Sequence, residues 1–107
     1  MKIYLTGAIK GMGTDALGEF EKAEDQLIAA GHNVTSVVDF VSDADNREYP
    51  TLVKLARAKA MMKADVVVPL DNYELDVDAK AEVAFARHLE IIVRPLVKVL
   101  ENSKMFQ

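Results

Sequence analysis

Short apolar runs alternate with longer stretches of helical period along this chain, and few folds accept that order. The runs are Ile3-Tyr4-Leu5, Asn33 to Val38, Val66 to Leu70 and Ile91-Ile92-Val93. The first intervening stretch spaces Leu17, Phe20, Ala23 and Leu27 for one helix face and stops at Gly31. Thr14 or Asp15 is expected to cap it. The second starts at Pro50, a residue suited to a first helical turn, and carries Leu52, Leu55, Ala56, Ala60 and Met62 toward Ala64. The third runs from Ala79 to about Glu90, and Pro95 to Lys104 reads as a terminal helix. Strands that are apolar nearly throughout and separated by helices make a parallel sheet covered on both faces. Right-handed crossovers then give a doubly wound, flavodoxin- or Rossmann-like α/β domain of four strands, or five, in the order 2-1-3-4. Asp39 to Pro50 reads as a loop, and Pro69 is expected to end the third strand or to have no neighbour for its missing amide.

The 107 residues make one domain, long enough to bury a core. Seventeen acidic residues against thirteen basic ones leave a net charge of -4 and no basic block, which argues against a duplex nucleic-acid partner. The absence of cysteine excludes disulfides, thiolate metal sites and cysteine nucleophiles. Two distant histidines leave any metal site to carboxylates; the acidic cluster Asp71, Asp76, Asp78 and Glu82 leaves a magnesium site open, but nothing fixes its ligand geometry, and neither metal nor cofactor is expected. No run is long enough for a membrane span or a signal peptide, and a cytoplasmic protein is expected.

Ligands of such sheets bind beyond the carboxyl ends of the strands, where the strand order reverses. Here that point lies between the first and third strands. The loops that meet there are Gly7–Gly13 and the acidic segment Asp71–Asp78. The glycine-rich loop precedes a helix N-terminus and can receive an anion, or it is simply a tight turn. Asp78 is expected to cap the third helix. Glu82 falls beside Phe85, Ala86 and Leu89 on that helix, with no basic residue three or four positions away. A carboxylate so placed needs partners or a task.

These segments resemble the nucleoside 2-deoxyribosyltransferase-like family, in particular its short bacterial and phage members with a G-P-I-x-G loop. The matching pieces are K-I-Y-L-T-G-A-I-K-G at 2–11, F-E-K-A-E-D-Q-L-I-A-A-G-H-N-V at 20–34, A-D-V-V-V-P-L at 64–70 and D-V-D-A-K-A-E-V-A-F-A at 76–86. The resemblance implies that Glu82 attacks the anomeric carbon of a nucleoside and that a second base or water resolves the covalent intermediate. It implies that Asp76 handles the leaving base and that Tyr4 positions Glu82. Gly7, Ala8, Ile9 and Gly11 would line the sugar or phosphate end, with Asp71 and Asp78 nearby. Asp78 and Ala79 stand where the family has glycine and threonine, and Ala8 where it has proline. Arg57 stands where the family has a nucleoside-binding aspartate, which points either to a different ligand, such as a phosphorylated one, or to lost catalysis.

Three readings follow. One is an enzyme that cleaves or exchanges an N-glycosidic bond. Another is a non-catalytic module for a nucleotide or an ADP-ribose-like ligand. The third is a structural or inhibitory protein. A homo-oligomer is expected, and Glu82→Ala is expected to leave the fold intact.

Overall fold

The computed structural model describes residues 1–8, 13–40 and 50–105, without the side chains of 13–16, 50 and 103–105. Strands β1 (Lys2–Thr6), β2 (Asn33–Ser36), β3 (Val66–Pro69) and β4 (Ile92–Val93) form one parallel sheet in the order β2-β1-β3-β4. Helices α1 (Gly13–Ala29), α2 (Pro50–Met62), α3 (Val77–His88) and α4 (Leu96–Met105) complete the chain. The doubly wound sheet expected from the alternating pattern is the sheet observed, with four strands.

β1 lies in the middle, paired to β2 from Lys2↔Asn33 to Leu5↔Ser36 and to β3 from Ile3↔Val66 to Thr6↔Pro69. Side chains alternate across a strand. Tyr4 and Thr6 therefore share one face, which they present to α2 and α3, while Ile3 and Leu5 point to the other. Ile3, Leu5, Val66, Val67 and Val68 are all buried, as the apolar runs require. Phe20, Ala23 and Leu27 of α1 and Val99 of α4 join the same core.

Several local expectations need correction. β2 ends at Ser36, and Val37–Phe40 form a 3₁₀ turn rather than more strand and loop. The β1–β2 ladder stops at Leu5↔Ser36 although β1 continues to Thr6, because the chain turns at Val37. The side chains complete the turn: Ser36 N–H donates to Asp39 Oδ2 at 3.1 Å and Val38 N–H to Ser36 Oγ at 3.3 Å. Helix α1 begins at Gly13, so Thr14 and Asp15 lie inside its first turn and not before it. Leu17 is exposed, because the inward stripe of α1 begins one turn later at Phe20. On α2, Ala56, Ala60 and Met61 turn toward the sheet, and Leu52, Leu55 and Met62 turn outward.

Two helix ends use a left-handed residue. Gly31 (φ 92°) follows α1, and His32 N–H reaches back to the Leu27 carbonyl at 3.1 Å. Glu90 (φ 61°) does the same after α3, where Ile91 N–H donates to the Ala86 carbonyl at 2.9 Å. β3 ends at Pro69, and its last neighbour on the β4 side is Val67↔Val93, so the missing proline amide costs no ladder bond. No described helix is long and apolar enough to cross a membrane.

Candidate functional site

The carboxyl ends of β1 and β3 lie at the switch point of the strand order, where such sheets bind ligands. The two loops there are tied together. Ala8 N–H donates to Asn72 Oδ1 at 3.1 Å, joining the segment after β1 to the turn after β3. A Cβ on Gly7 would stand 3.0 Å from Leu70 Cβ and 3.2 Å from Asn72 Oδ1. Glycine is needed here so that the two loops can approach. Ala8 is fully buried beside it. Ile9 and Gly11, expected to line the same pocket, lie outside the described residues.

Glu82 projects from the second turn of α3 toward the carboxyl end of β1 and is met by three donor residues from elsewhere in the chain. Tyr4 OH donates to Oε2. Thr6 Oγ1 donates to Oε1 at 3.0 Å. Arg57, reaching over from α2, clamps both oxygens, with Nε 3.1 Å from Oε2 and the outer nitrogen 2.5 Å from Oε1. This is the two-pronged fit of guanidinium to carboxylate. The pair is well shielded, its side chains 10% and 13% exposed. Tyr4 and Thr6 are fully buried. The charge that lacked a partner on its own helix thus has one from 25 residues earlier. Nor is its setting the apolar stripe anticipated. Ala79, Val83 and Ala86 form the buried side of α3, while Phe85 and Leu89 are largely exposed.

The electrostatics follow from burial. Burial pushes the Tyr4 phenol far above its ordinary value near 10, and the adjacent Glu82 charge adds to the effect. Burial opposes the charge on Arg57, but the hydrogen bonds and charge of Glu82 more than offset it, and its pKa is raised. The folded chain therefore keeps the Tyr4 proton where the unfolded chain gives it up. This contribution is whole below about pH 10 and is lost as pH rises above that, at up to about 1.4 kcal/mol per pH unit. Tyr4→Phe should lack that part of the alkaline slope, while costing about 1–3 kcal/mol at neutral pH through the unmet acceptor on Glu82. Urea unfolding between pH 8 and about 11 checks this; an unchanged slope would show that Tyr4 is not the responsible group.

Asp76 is buried and is the true cap of α3: its Oδ1 accepts from Asp78 N–H at 2.9 Å and from Ala79 N–H at 3.2 Å. The cap expected at Asp78 is thus two residues too late, because Asp76 is the last residue in extended conformation (φ −125°, ψ 122°). Asp78 lies in the first turn and pairs with Lys54 of α2 at 3.7 Å. Asp71 stands exposed in the turn after β3. The structure therefore brings Tyr4, Arg57 and Glu82 into direct contact and sets Gly7, Ala8 and Asp76 on the adjoining loops. Thr6 and Asn72 belong to the site but carry no motif. Thr6 was discoverable from Tyr4, two residues earlier on the same strand face; Asn72 had no signal beyond its place in a switch-point loop. Among the described residues, no group of three or more His, Asp or Glu side chains could hold a metal ion.

The fold has a solved counterpart. The chain is similar in structure to a 2-deoxyribosyltransferase from Bacillus psychrosaccharolyticus, with a TM-score of 0.73 and 25% identity, over 89% of this chain and 71% of that one. That protein is described as a biocatalyst for nucleoside synthesis. No curated protein matches the chain in sequence. The family model that does match covers residues 1–94, from the first strand through the last, and so takes in Tyr4, Arg57, Asp76 and Glu82 together. The chain belongs to the family described as Domain of unknown function (DUF4406).

Proposed function

We propose that the chain cleaves or exchanges the N-glycosidic bond of a nucleotide, with Glu82 as the nucleophile. The observation that carries this reading is the orientation of a shielded glutamate, by Tyr4 and Thr6 of the central strand, at the carboxyl end of the sheet. The structural similarity to a 2-deoxyribosyltransferase supports it. In the proposed reaction a Glu82 oxygen forms a bond to C1′ of the sugar. The C1′–N bond breaks, and its electrons leave with the base, which takes up a proton. Asp76 is the proposed handler of that proton. Water or a second base then attacks C1′, and the ester to Glu82 breaks to regenerate the carboxylate. Tyr4, kept protonated by its surroundings, donates to the carboxylate throughout. Incubation with a panel of nucleosides and nucleotides, with chromatographic detection of free base, tests the reading. Absence of base from every member would remove it.

A second reading, a nucleotide-binding module without turnover, is favoured by one observation: the Glu82 oxygens are already fully engaged by the chain's own donors. Tight binding in calorimetry without base release would establish it.

Arg57 in place of a sugar-binding aspartate makes a phosphate the preferred ligand group. Nucleoside 5′-monophosphates are expected to bind at least about tenfold more tightly than the matching nucleosides, and the margin should shrink as salt is added. Equal affinities in calorimetry would take the phosphate out of the reading.

Assembly into a homo-oligomer belongs to the same proposal. The neighbouring helices α2 and α3 both turn large apolar side chains to solvent, Leu52 and Leu55 on one, Val77 and Phe85 on the other. Where such side chains form a contiguous patch, they mark a contact surface. Sedimentation at tens of micromolar (roughly the range in which ordinary dimers persist) should show a dimer or larger species; a monomer alone would contradict this.

A further inference from the structure

A carboxylate offers about four in-plane acceptor positions, two on each oxygen. In Glu82 all four are taken: Tyr4 OH and Arg57 Nε on Oε2, Thr6 Oγ1 and the outer Arg57 nitrogen on Oε1. Forming a bond to carbon requires one of those lone pairs, so a donor has to withdraw. Tyr4 and Thr6 cannot do so easily. Both are fully buried on β1, which is paired along both edges, and the Thr6 oxygen stays in place whichever way its hydrogen turns. Arg57 alone comes from a helix on a long side chain with many torsions. Its withdrawal would leave a guanidinium shielded from water without a counter-ion, which is strongly disfavoured. Another anion must take it at the same moment. A phosphate or phosphate ester has the flat two-oxygen edge that matches the guanidinium fork.

We propose that Arg57 is a latch on Glu82 that only an anionic, phosphate-bearing ligand opens, so that substrate selection and release of the carboxylate are one event. Its consequence for turnover rests on the reading of Glu82 as nucleophile; the displacement of Arg57 does not. Discrimination arises twice from the same side chain. A nucleoside without phosphate lacks a partner for Arg57, and it also meets a carboxylate with no lone pair to offer.

The test follows the Arg57 Nε–H resonance by NMR in the full chain, assigned by its absence in Arg57→Lys. In the free protein this proton should exchange slowly. Saturation with inorganic phosphate or with a 2′-deoxynucleoside 5′-monophosphate should shift it and speed its exchange at least about tenfold, whereas the matching nucleoside should leave it unchanged. An unmoved resonance at saturation would mean that Arg57 bridges Glu82 and ligand, and would overturn the latch. A resonance moved equally by the nucleoside, or no binding of either phosphate probe up to about 10 mM, would also overturn it.

Two kinetic arms add to this. Inorganic phosphate should raise nucleoside turnover by the unaltered chain, and Arg57→Met should turn over nucleosides at least about tenfold faster than the unaltered chain while its preference for monophosphates falls away. The phosphate arm stands even where Arg57→Met fails to fold. Loss of nucleoside turnover in a folded Arg57→Met, with monophosphate turnover retained, would overturn the latch. Base release from no substrate, with Arg57 displaced as described, removes the nucleophile reading and leaves the latch standing.

Discussion

Glu82→Gln is expected to cut base release from any substrate by on the order of 10⁴-fold or more without weakening ligand binding. The amide keeps the shape of the side chain but has no carboxylate to attack C1′ and no second oxygen for Arg57. A substitution that removes an interaction made only on the way to the transition state lowers turnover without weakening ground-state binding. Chromatographic turnover and calorimetry on the same preparation separate the two effects. Turnover within about tenfold of the original would show that Glu82 is a structural carboxylate and that the proposed chemistry is wrong.

The second large effect concerns stability. Arg57→Met is expected to cost about 3–5 kcal/mol, because it leaves a shielded carboxylate without its counter-charge. Glu82→Ala should cost about as much for the mirror reason, since it strips the Arg57 guanidinium. The expectation that Glu82→Ala would be silent in the fold weighed only lost core volume and is replaced by this one. Changing both residues to methionine removes the two charges together and should recover most of the loss, a coupling well outside the few tenths expected of independent sites. Urea unfolding of Arg57→Met, Glu82→Met and the double variant measures it. Additive losses would mean that Arg57 and Glu82 hardly sense each other in solution, whatever their distance.

What the sequence disclosed and what it withheld divide along a physical line. Strand positions, strand order and the meeting of the two switch-point loops were legible because each is set by local periodicity or by the handedness of crossovers. Tyr4 was legible only through resemblance, whereas Glu82 stood out first as a carboxylate with no charge partner on its own helix and owed only its role to the resemblance. Periodicity placed Glu82 on an apolar stripe, whereas the buried side of α3 passes through Ala79, Val83 and Ala86 and leaves Phe85 and Leu89 in water. The partner of Glu82 could not be read locally, since Arg57 stands on another helix and the strand donors are more distant still. The cap of α3 was misplaced by two residues, because Asp76 and Asp78 are chemically alike and only backbone conformation tells them apart. β2 was overextended for a similar reason: Val37 and Val38 suit a strand, but the chain turns at Val37 and leaves the β1–β2 ladder.

The sequence distances at Glu82 bear on how the chain is made. Tyr4 and Thr6 are separated from Glu82 by 78 and 76 positions, and Arg57 by 25. β1, β2 and β3 all precede α3 along the chain and are synthesised before it. A nascent chain that ends near β3 would have to bury two hydroxyls and a guanidinium with no acceptor for them. The packing around the central strand is thus expected to be completed only when the last third of the chain folds onto it, since the carboxylate that satisfies Tyr4, Thr6 and Arg57 stands there.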